Sequence, residues 1–583
     1  MTSTTGSCAS WSTGCSCTGC GAPSWCPPTR RACAGSAARC GWTASTARGA
    51  LEKRLRQVRR EVRDLHEEIF YRPLLPATAR LSADDVSLAP EAARARLAAI
   101  GYHDPDGAIR HIAALTEGIS RAAAIQRHLL PVMLGWFAQG PGPDSGLLAF
   151  RKLSETMGTT HWYLKLLRDS AGAAERLARL LSTSRYAADA LGRLPEAVAW
   201  LDDDEELAPR TTEALAAELG ALQARRADAV ERAMAARYLR RRELLRAAIG
   251  DVLDLGDHAR SAAMVSGAAE IALQGALRVA VDHAVAETGA DGPPSRYLVV
   301  AMGRLGGREM GYASDADVLF VHEPLPGADP ETATRTALAV ATAVRQLLGR
   351  TGPEPALPVD AALRPEGRNG PLTRTLASYA EYYDRWVEPW ERQALLRARP
   401  VAGDPELGRR FEALVNPLRY PAGGLADGEV RELRRIKARV ESERLPRGVP
   451  PTRHLKLGRG GLSDVEWTVQ LLQLQHAGEV AGLRTTGTLD ALHALHEAGI
   501  VPVEEAERLA EAWLLASRIR DAIVLGTGRA TADRADVLPH EPADLEVVAR
   551  LLGLRPGRRL DLEEHWLRTS RRARTVAEEL FYD

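Results

Sequence analysis

Residues 298–323 read LVVAMGRLGGREMGYASDADVLFVHE. Leu298, Val299 and Val300 form an apolar, largely β-branched run, the pattern of a buried strand. The run breaks at Gly303, and the pair Gly306-Gly307 follows. Adjacent glycines let backbone N–H groups approach a ligand without Cβ obstruction, as a phosphate cradle requires. The pattern predicts a short helical turn at Glu309–Tyr312, whose free N–H groups favour anions, and then a second strand from Ser314 to Val321. Two residues apart on that strand, Asp315 and Asp317 share one face, while Ala316, Val318 and Phe320 face a core. Paired carboxylates beside a glycine-rich loop suit Mg²⁺ ions holding a nucleoside triphosphate. A surface strand that merely begins with Ser-Asp is the plain alternative; the order strand, glycine pair, turn, DxD favours the site.

A third carboxylate follows at Asp360, in the short apolar run Leu357–Pro365 (LPVDAALRP). An acid inside such a run is costly to bury unless it meets a cation or another partner. The run ends at Arg364-Pro365 and the turn-forming EGRNGP. Arg364 and Arg368 suit phosphate oxygens through the bidentate guanidinium fork, or else an ordinary surface salt bridge.

Four segments, GRLGGREMGYASDADVLFVHE, PVDAALRPEGRNGPLTRTLASYAEYY, WERQALLRARPVAGD and HLKLGRGGLSDVEWTVQLLQLQH, resemble the nucleotidyltransferase fold and, more closely, the adenylyltransferases that modify glutamine synthetase. The resemblance runs from about Arg56 to the C-terminus. It implies transfer of AMP from ATP to a tyrosine hydroxyl of glutamine synthetase, with pyrophosphate released and nitrogen assimilation thereby regulated. It also implies glutamine synthetase as protein substrate and a PII-type nitrogen signal protein as a regulatory partner. Asp315, Asp317 and Asp360 take the catalytic and metal-binding roles; Gly303, Gly306, Gly307, Ser314 and Arg364 take the nucleotide. Two departures are visible: Ala362 stands where the family usually has a polar residue, and His454 where an acid is common. Phosphorolytic removal of AMP, a transferase acting on an antibiotic or nucleic acid, and a non-catalytic scaffold binding glutamine synthetase are the competing functions.

Composition narrows the class. The chain has 583 residues, enough for several domains, with 76 basic and 76 acidic side chains. Balanced charge gives no bulk attraction to nucleic acid or an acidic membrane. Abundant Ala, Leu, Arg and Glu favour helix. No uninterrupted apolar run reaches bilayer length and no secretion signal opens the chain, so the expected location is cytoplasmic. The expected fold is α+β and predominantly helical: a nucleotidyltransferase-type mixed sheet domain at 290–410, between helical domains at 72–289 and 411–583.

Residues 1–50 differ in kind. All seven cysteines lie there, from Cys8 to Cys40, and no acid precedes Glu52. Cys17-Thr-Gly-Cys20 has zinc-ligand spacing, but the segment lacks periodicity and core residues, and it reads as a disordered or non-native tail. Residues 51–71 read as a junction helix, a remnant of a preceding unit. Arg59–Tyr71 (RREVRDLHEEIFY) matches Ser570–Tyr582 (SRRARTVAEELFY) at six positions, ending in the same Phe-Tyr, a sign of tandem duplication. On that reading the chain is the C-terminal, AMP-attaching half of a two-part enzyme.

Four further expectations concern the helical flanks. The basic stretch Arg237–Arg246 reads as a solvated helix face. His454–Glu466 carries Gly460-Gly461 and two acids, but Asp464 and Glu466 point about 200° apart on a helix. The glycines therefore read as an interdomain turn, Ser463 or Asp464 as an N-cap, and Lys456 as a cation within reach of a phosphate.

Overall fold

Five short strands make one mixed sheet in order β3-β2-β1-β5, with β4 also on β2. They are β1 (Ser295–Ala301), β2 (Ala316–Pro324), β3 (Val359–Asp360), β4 (Thr373–Thr375) and β5 (Arg399–Gly403). The computed structural model describes Val58 and residues 90–583 other than 159, 290 and 583. The chain divides into units 1–81 and 82–583, and these five strands belong to the second. The cysteine-rich tail and the first copy of the duplicated helix lie outside the described residues.

β1 runs antiparallel to β2 and β5, whereas β3 and β4 lie parallel to β2 along its other edge. Both faces of the sheet are covered, so β1 and β2 carry near-continuous apolar runs rather than alternation. On one face Val299, Ala301, Ala316, Val318 and Phe320 pack with the helices His258–Thr288 and Pro330–Gly349. On the other, Leu298, Val300, Leu319 and Val321 meet Leu376, Tyr379 and Tyr383 of the helix Leu376–Trp386 and Leu407, Phe411 and Val415 of the helix Pro405–Arg419. The predicted second strand begins at Ala316, so Asp315 sits just before it.

Helices fill the rest of the second unit, in accord with the α+β, mostly helical class. Residues between Leu97 and Leu253 form one apolar core, and residues between Leu455 and Val576 another. Residues 212–252 form two helices, Thr212–Ala224 and Ala229–Val252. His258–Thr288, though charges interrupt it, is long and apolar enough by composition to cross a bilayer; 72% of its most apolar window is buried inside the protein. It is the central helix under the sheet.

The basic stretch is the larger correction. Arg237, Arg240, Glu243 and Arg246 are buried, not solvated. Arg237 donates to the carbonyls of Leu347 and Glu354, and Arg240 to those of Pro355 and Ala356. Arg246 pairs with Glu243 and lies 4.3 Å from the centre of the Trp200 ring. These guanidiniums grip the backbone just before β3, and so help to set where Asp360 emerges. Planar donors that satisfy buried carbonyls stand in for backbone pairing that an irregular loop cannot make.

Near the C-terminus, Asp464 is the third residue of the helix Leu462–His476, whose N-cap is Gly461; it does not cap the helix itself. Its buried carboxylate holds Lys437 at 2.6 Å, Arg574 at 3.0 Å and the Gly460 amide at 2.7 Å. Lys437, Arg574 and the Gly460 amide hold its pKa below the usual carboxylate range, against the opposing pull of burial. Gly460, at φ +71°, cannot carry a Cβ because the Ser570 carbonyl would lie 1.8 Å away. Arg574 and Phe581, both in the duplicated motif, thus serve as an ion-pair anchor and a core plug.

We predict that Asp464→Ala destabilises the protein by about 3–5 kcal/mol, because Lys437 loses a buried partner. A depressed carboxylate pKa contributes stability above its unfolded value, near pH 4, and loses it as pH falls through the folded value. The gap between wild type and variant in urea midpoint is therefore expected to be full at pH 7 and to shrink below about pH 4.

Candidate active site

The carboxylates of Asp315, Asp317 and Asp360 converge: one oxygen from each lies within 4.8 Å of the others. Local register explains this. β2 and β3 are parallel with Asp317 opposite Asp360, so both side chains leave the sheet on the same side, and Asp315 precedes β2 by one residue. Asp315 is exposed and the other two are half-buried. Burial pushes the Asp317 carboxyl up to about 7, with Asp315 and Asp360 adding repulsion and Lys456 drawing it down. Oxygen donors this close, straining against one another, fit a hard divalent cation of the Mg²⁺ kind, which would relieve both the repulsion and the burial cost.

The loop between β1 and β2 is braced on every side. Its helical turn lies at Gly303–Gly306, earlier than the Glu309–Tyr312 expected from sequence. Gly303 has φ +51°, and a Cβ there would lie 2.5 Å from Asp317 Oδ2, so the backbone can approach the carboxylate only at glycine. Arg399 donates to the carbonyls of Leu305 and Gly306 while pairing with Glu270 at 2.6 Å. Tyr312 donates its hydroxyl to Asp251 at 2.7 Å and its amide to Asp521. Buried Glu309 accepts from Arg397 and from the amide and hydroxyl of Thr488, tying the loop to the C-terminal helices. Arg304 reaches Ser517 at 2.9 Å and lies over the Trp513 ring.

Several residues expected to bind nucleotide have other partners. The Gly306 and Gly307 amides donate to the Met302 and Gly303 carbonyls within the turn. Gly306 is required because the Arg397 carbonyl would sit 1.7 Å from a Cβ. The pair therefore answers to packing rather than to an open cradle of N–H groups. Ser314 Oγ accepts from the Gly311 amide at 3.0 Å. Arg364 spends its guanidinium on the carbonyls of Ala361, Arg368 and Gly370. Ala362, where a polar side chain was expected, donates its amide to Asp360 Oδ1 at 2.7 Å. His454 is buried, with Nδ1 accepting from the amides of Lys456 and Leu457. Trp390 packs in a small apolar cluster with Leu396 and Phe581.

Sequence reasoning passed over Glu309, Arg397, Tyr312 and Asp521. The segments GREMGY and LLRARP were on view, but charges in a loop carry no periodicity, and their partners lie up to 209 positions away.

Comparison with known proteins adds two family matches: a glutamate-ammonia ligase adenylyltransferase model over residues 174–414, and a GlnD PII-uridylyltransferase model over 433–581. Among curated proteins, the bifunctional glutamine synthetase adenylyltransferase/adenylyl-removing enzyme of Streptomyces coelicolor is 52% identical over 89% of this chain and 53% of its own length. The proteins of that description from Streptomyces avermitilis and Leifsonia xyli are each 51% identical, over 89% and 92% of this chain and 53% and 52% of their own. The chain thus spans about half the length of the curated relatives it matches.

Asp317→Asn is expected to weaken Mn²⁺ binding, followed by isothermal titration, by about tenfold or more. Gly303→Ala is expected to do likewise by displacing the Asp317 carboxylate. Undiminished binding in both would show that these carboxylates share no ion.

Proposed function

The chain belongs to the glutamine synthetase adenylyltransferase/adenylyl-removing enzyme family, and we propose that it transfers AMP from ATP to a tyrosine hydroxyl of glutamine synthetase. The observation that carries this reading is the convergence of Asp317 on β2, Asp360 on β3 and Asp315 just before β2, inside the segment that matches the adenylyltransferase model.

In this reading the phenolic oxygen forms a bond to the α-phosphorus, the bond from that phosphorus to the bridging oxygen of the β-phosphate breaks, and pyrophosphate leaves. Asp360, whose Oδ1 is held by the Ala362 amide, accepts the phenol's proton through its other oxygen. Mg²⁺, when bound by the three carboxylates, would neutralise charge developing on the phosphates. Gly303 lets the triphosphate pass beside Asp317. Lys456 supplies a cation close enough for its charge to act on that carboxyl. The braced loop holds these groups in place before substrate arrives, which is how a site aligns reactants without reorganising.

The relatives' name includes removal of AMP, and the same carboxylates suit the reverse attack by phosphate on an adenylylated tyrosine. A PII-type protein as regulatory partner is supported by the likeness of residues 433–581 to the PII-uridylyltransferase model. Action on glutamine synthetase with ATP is consistent with a cytoplasmic location.

Incubation with glutamine synthetase, α-labelled ATP and Mg²⁺ is expected to label one tyrosine, and Asp315→Asn to slow labelling by on the order of 10²–10³-fold. Label release from adenylylated glutamine synthetase by phosphate, with no forward transfer, would assign the chain to the removing reaction instead.

A further inference from the structure

A cavity of about 460 Å³ opens beside the triad, lined by Asp315 and Asp360 and by three arginines, Arg345, Arg364 and Arg368. Topology sets its place in the reaction. The Gly303 turn follows β1, on one edge of β2, whereas the cavity lies along β3, on the other. If the triphosphate runs past Gly303, the cavity sits across Asp317 from it, on the side from which a nucleophile must come.

The three arginines divide by their bonds. Arg364 is committed to three carbonyls and fixes the loop 361–370, including the Gly367–Asn369 turn that presents Arg368. Arg345, on the helix Pro330–Gly349, gives only its Nε, to the Val359 carbonyl. Among the described residues, nothing within the protein accepts from the terminal nitrogens of Arg345 or from the Arg368 guanidinium. Both crowd Arg364 closely enough to push its pKa down, after the larger effect of burial. Two uncommitted forks in one concave wall, with Pro358 and Val359 as apolar surface beside them, suit an aromatic ring accompanied by carboxylates. The volume exceeds one aromatic side chain and leaves room for its neighbours. The chain's 76:76 charge balance argues for a local acidic peptide rather than a long polyanion.

We propose that this cavity seats the acceptor, and that the acceptor is a tyrosine-bearing peptide segment flanked by carboxylates, which Arg345 and Arg368 recognise. The inference rests on the adenylyl-transfer reading and names its substrate chemistry.

The test uses the full chain with the double charge reversal Arg345→Glu/Arg368→Glu. The KM for glutamine synthetase is expected to rise about tenfold or more, with its salt dependence reduced, while the KM for ATP stays within about twofold. The Arg345→Lys/Arg368→Lys variant is expected to recover part of the loss. Apart from activity, a fluorescent tyrosine peptide flanked by glutamates is expected to bind wild type by anisotropy better than a lysine-flanked peptide, and to lose that preference in the charge-reversed variant. A raised KM for ATP with an unmoved KM for glutamine synthetase would assign the arginines to nucleotide and overturn the proposal. So would equal competition by single-stranded RNA, or indifference to peptide charge. If wild type prefers the acidic peptide yet modifies no glutamine synthetase, the adenylyl-transfer reading fails and the acidic-acceptor cavity stands.

Discussion

Like charges held within 4.8 Å of one another repel, and the architecture around Asp315, Asp317 and Asp360 is organised to withstand that repulsion. A carboxylate on a free loop would swing away from its neighbours. Here two of the three leave adjacent parallel strands whose register is pinned by a core on each face of the sheet. Burial above all, with repulsion from Asp315 and Asp360 added to it, makes Asp317 hold its proton more tightly than usual. A site strained in this way is poised to take up positive charge, because a cation gains more there than it would among relaxed, solvated carboxylates.

Arginine does much of the holding. Arg399 grips two carbonyls of the turn after β1, Arg364 three of the loop after β3, and Arg237 with Arg240 three of the loop before it and that of Leu347 in the preceding helix. Irregular backbone packed between helices has carbonyls that no strand or helix can satisfy. A planar guanidinium with five donors satisfies several at once and adds little flexibility. The cost is burial of charge, offset where Glu270, Glu243 and Glu354 stand beside the arginines.

The helical flanks are therefore part of the site's construction. Asp251 and Ser266 reach the loop before Asp315 from the N-terminal side, and Thr488, Ser517 and Asp521 from the C-terminal side. The helix His258–Thr288 falls within the expected N-terminal helical segment, yet it forms the floor of the sheet's core. A catalytic segment cut at 290 and 410 would lose most of these braces. The sheet has only short strands, and it depends on helices for the cover that longer strands would share among themselves.

From the order of its residues alone, the chain declared a strand, a glycine break, a DxD and a third acid on a short apolar run. Those were enough for the fold class and the three carboxylates, because period-2 alternation and glycine breaks are local signals. Local signals misplaced the helical turn, read Gly306 and Gly307 for a ligand where the Arg397 carbonyl crowds the first and the Arg397 guanidinium the second, and read Arg237 and Arg240 as solvated. Each error has one source: a charge or a missing Cβ means something only against its neighbour in space, and those neighbours lie some 90 to 115 positions away. Residue order determined which groups are available for chemistry; tertiary packing alone decided which were already spent on holding the backbone, since a buried carbonyl must be satisfied by whatever donor the fold brings to it.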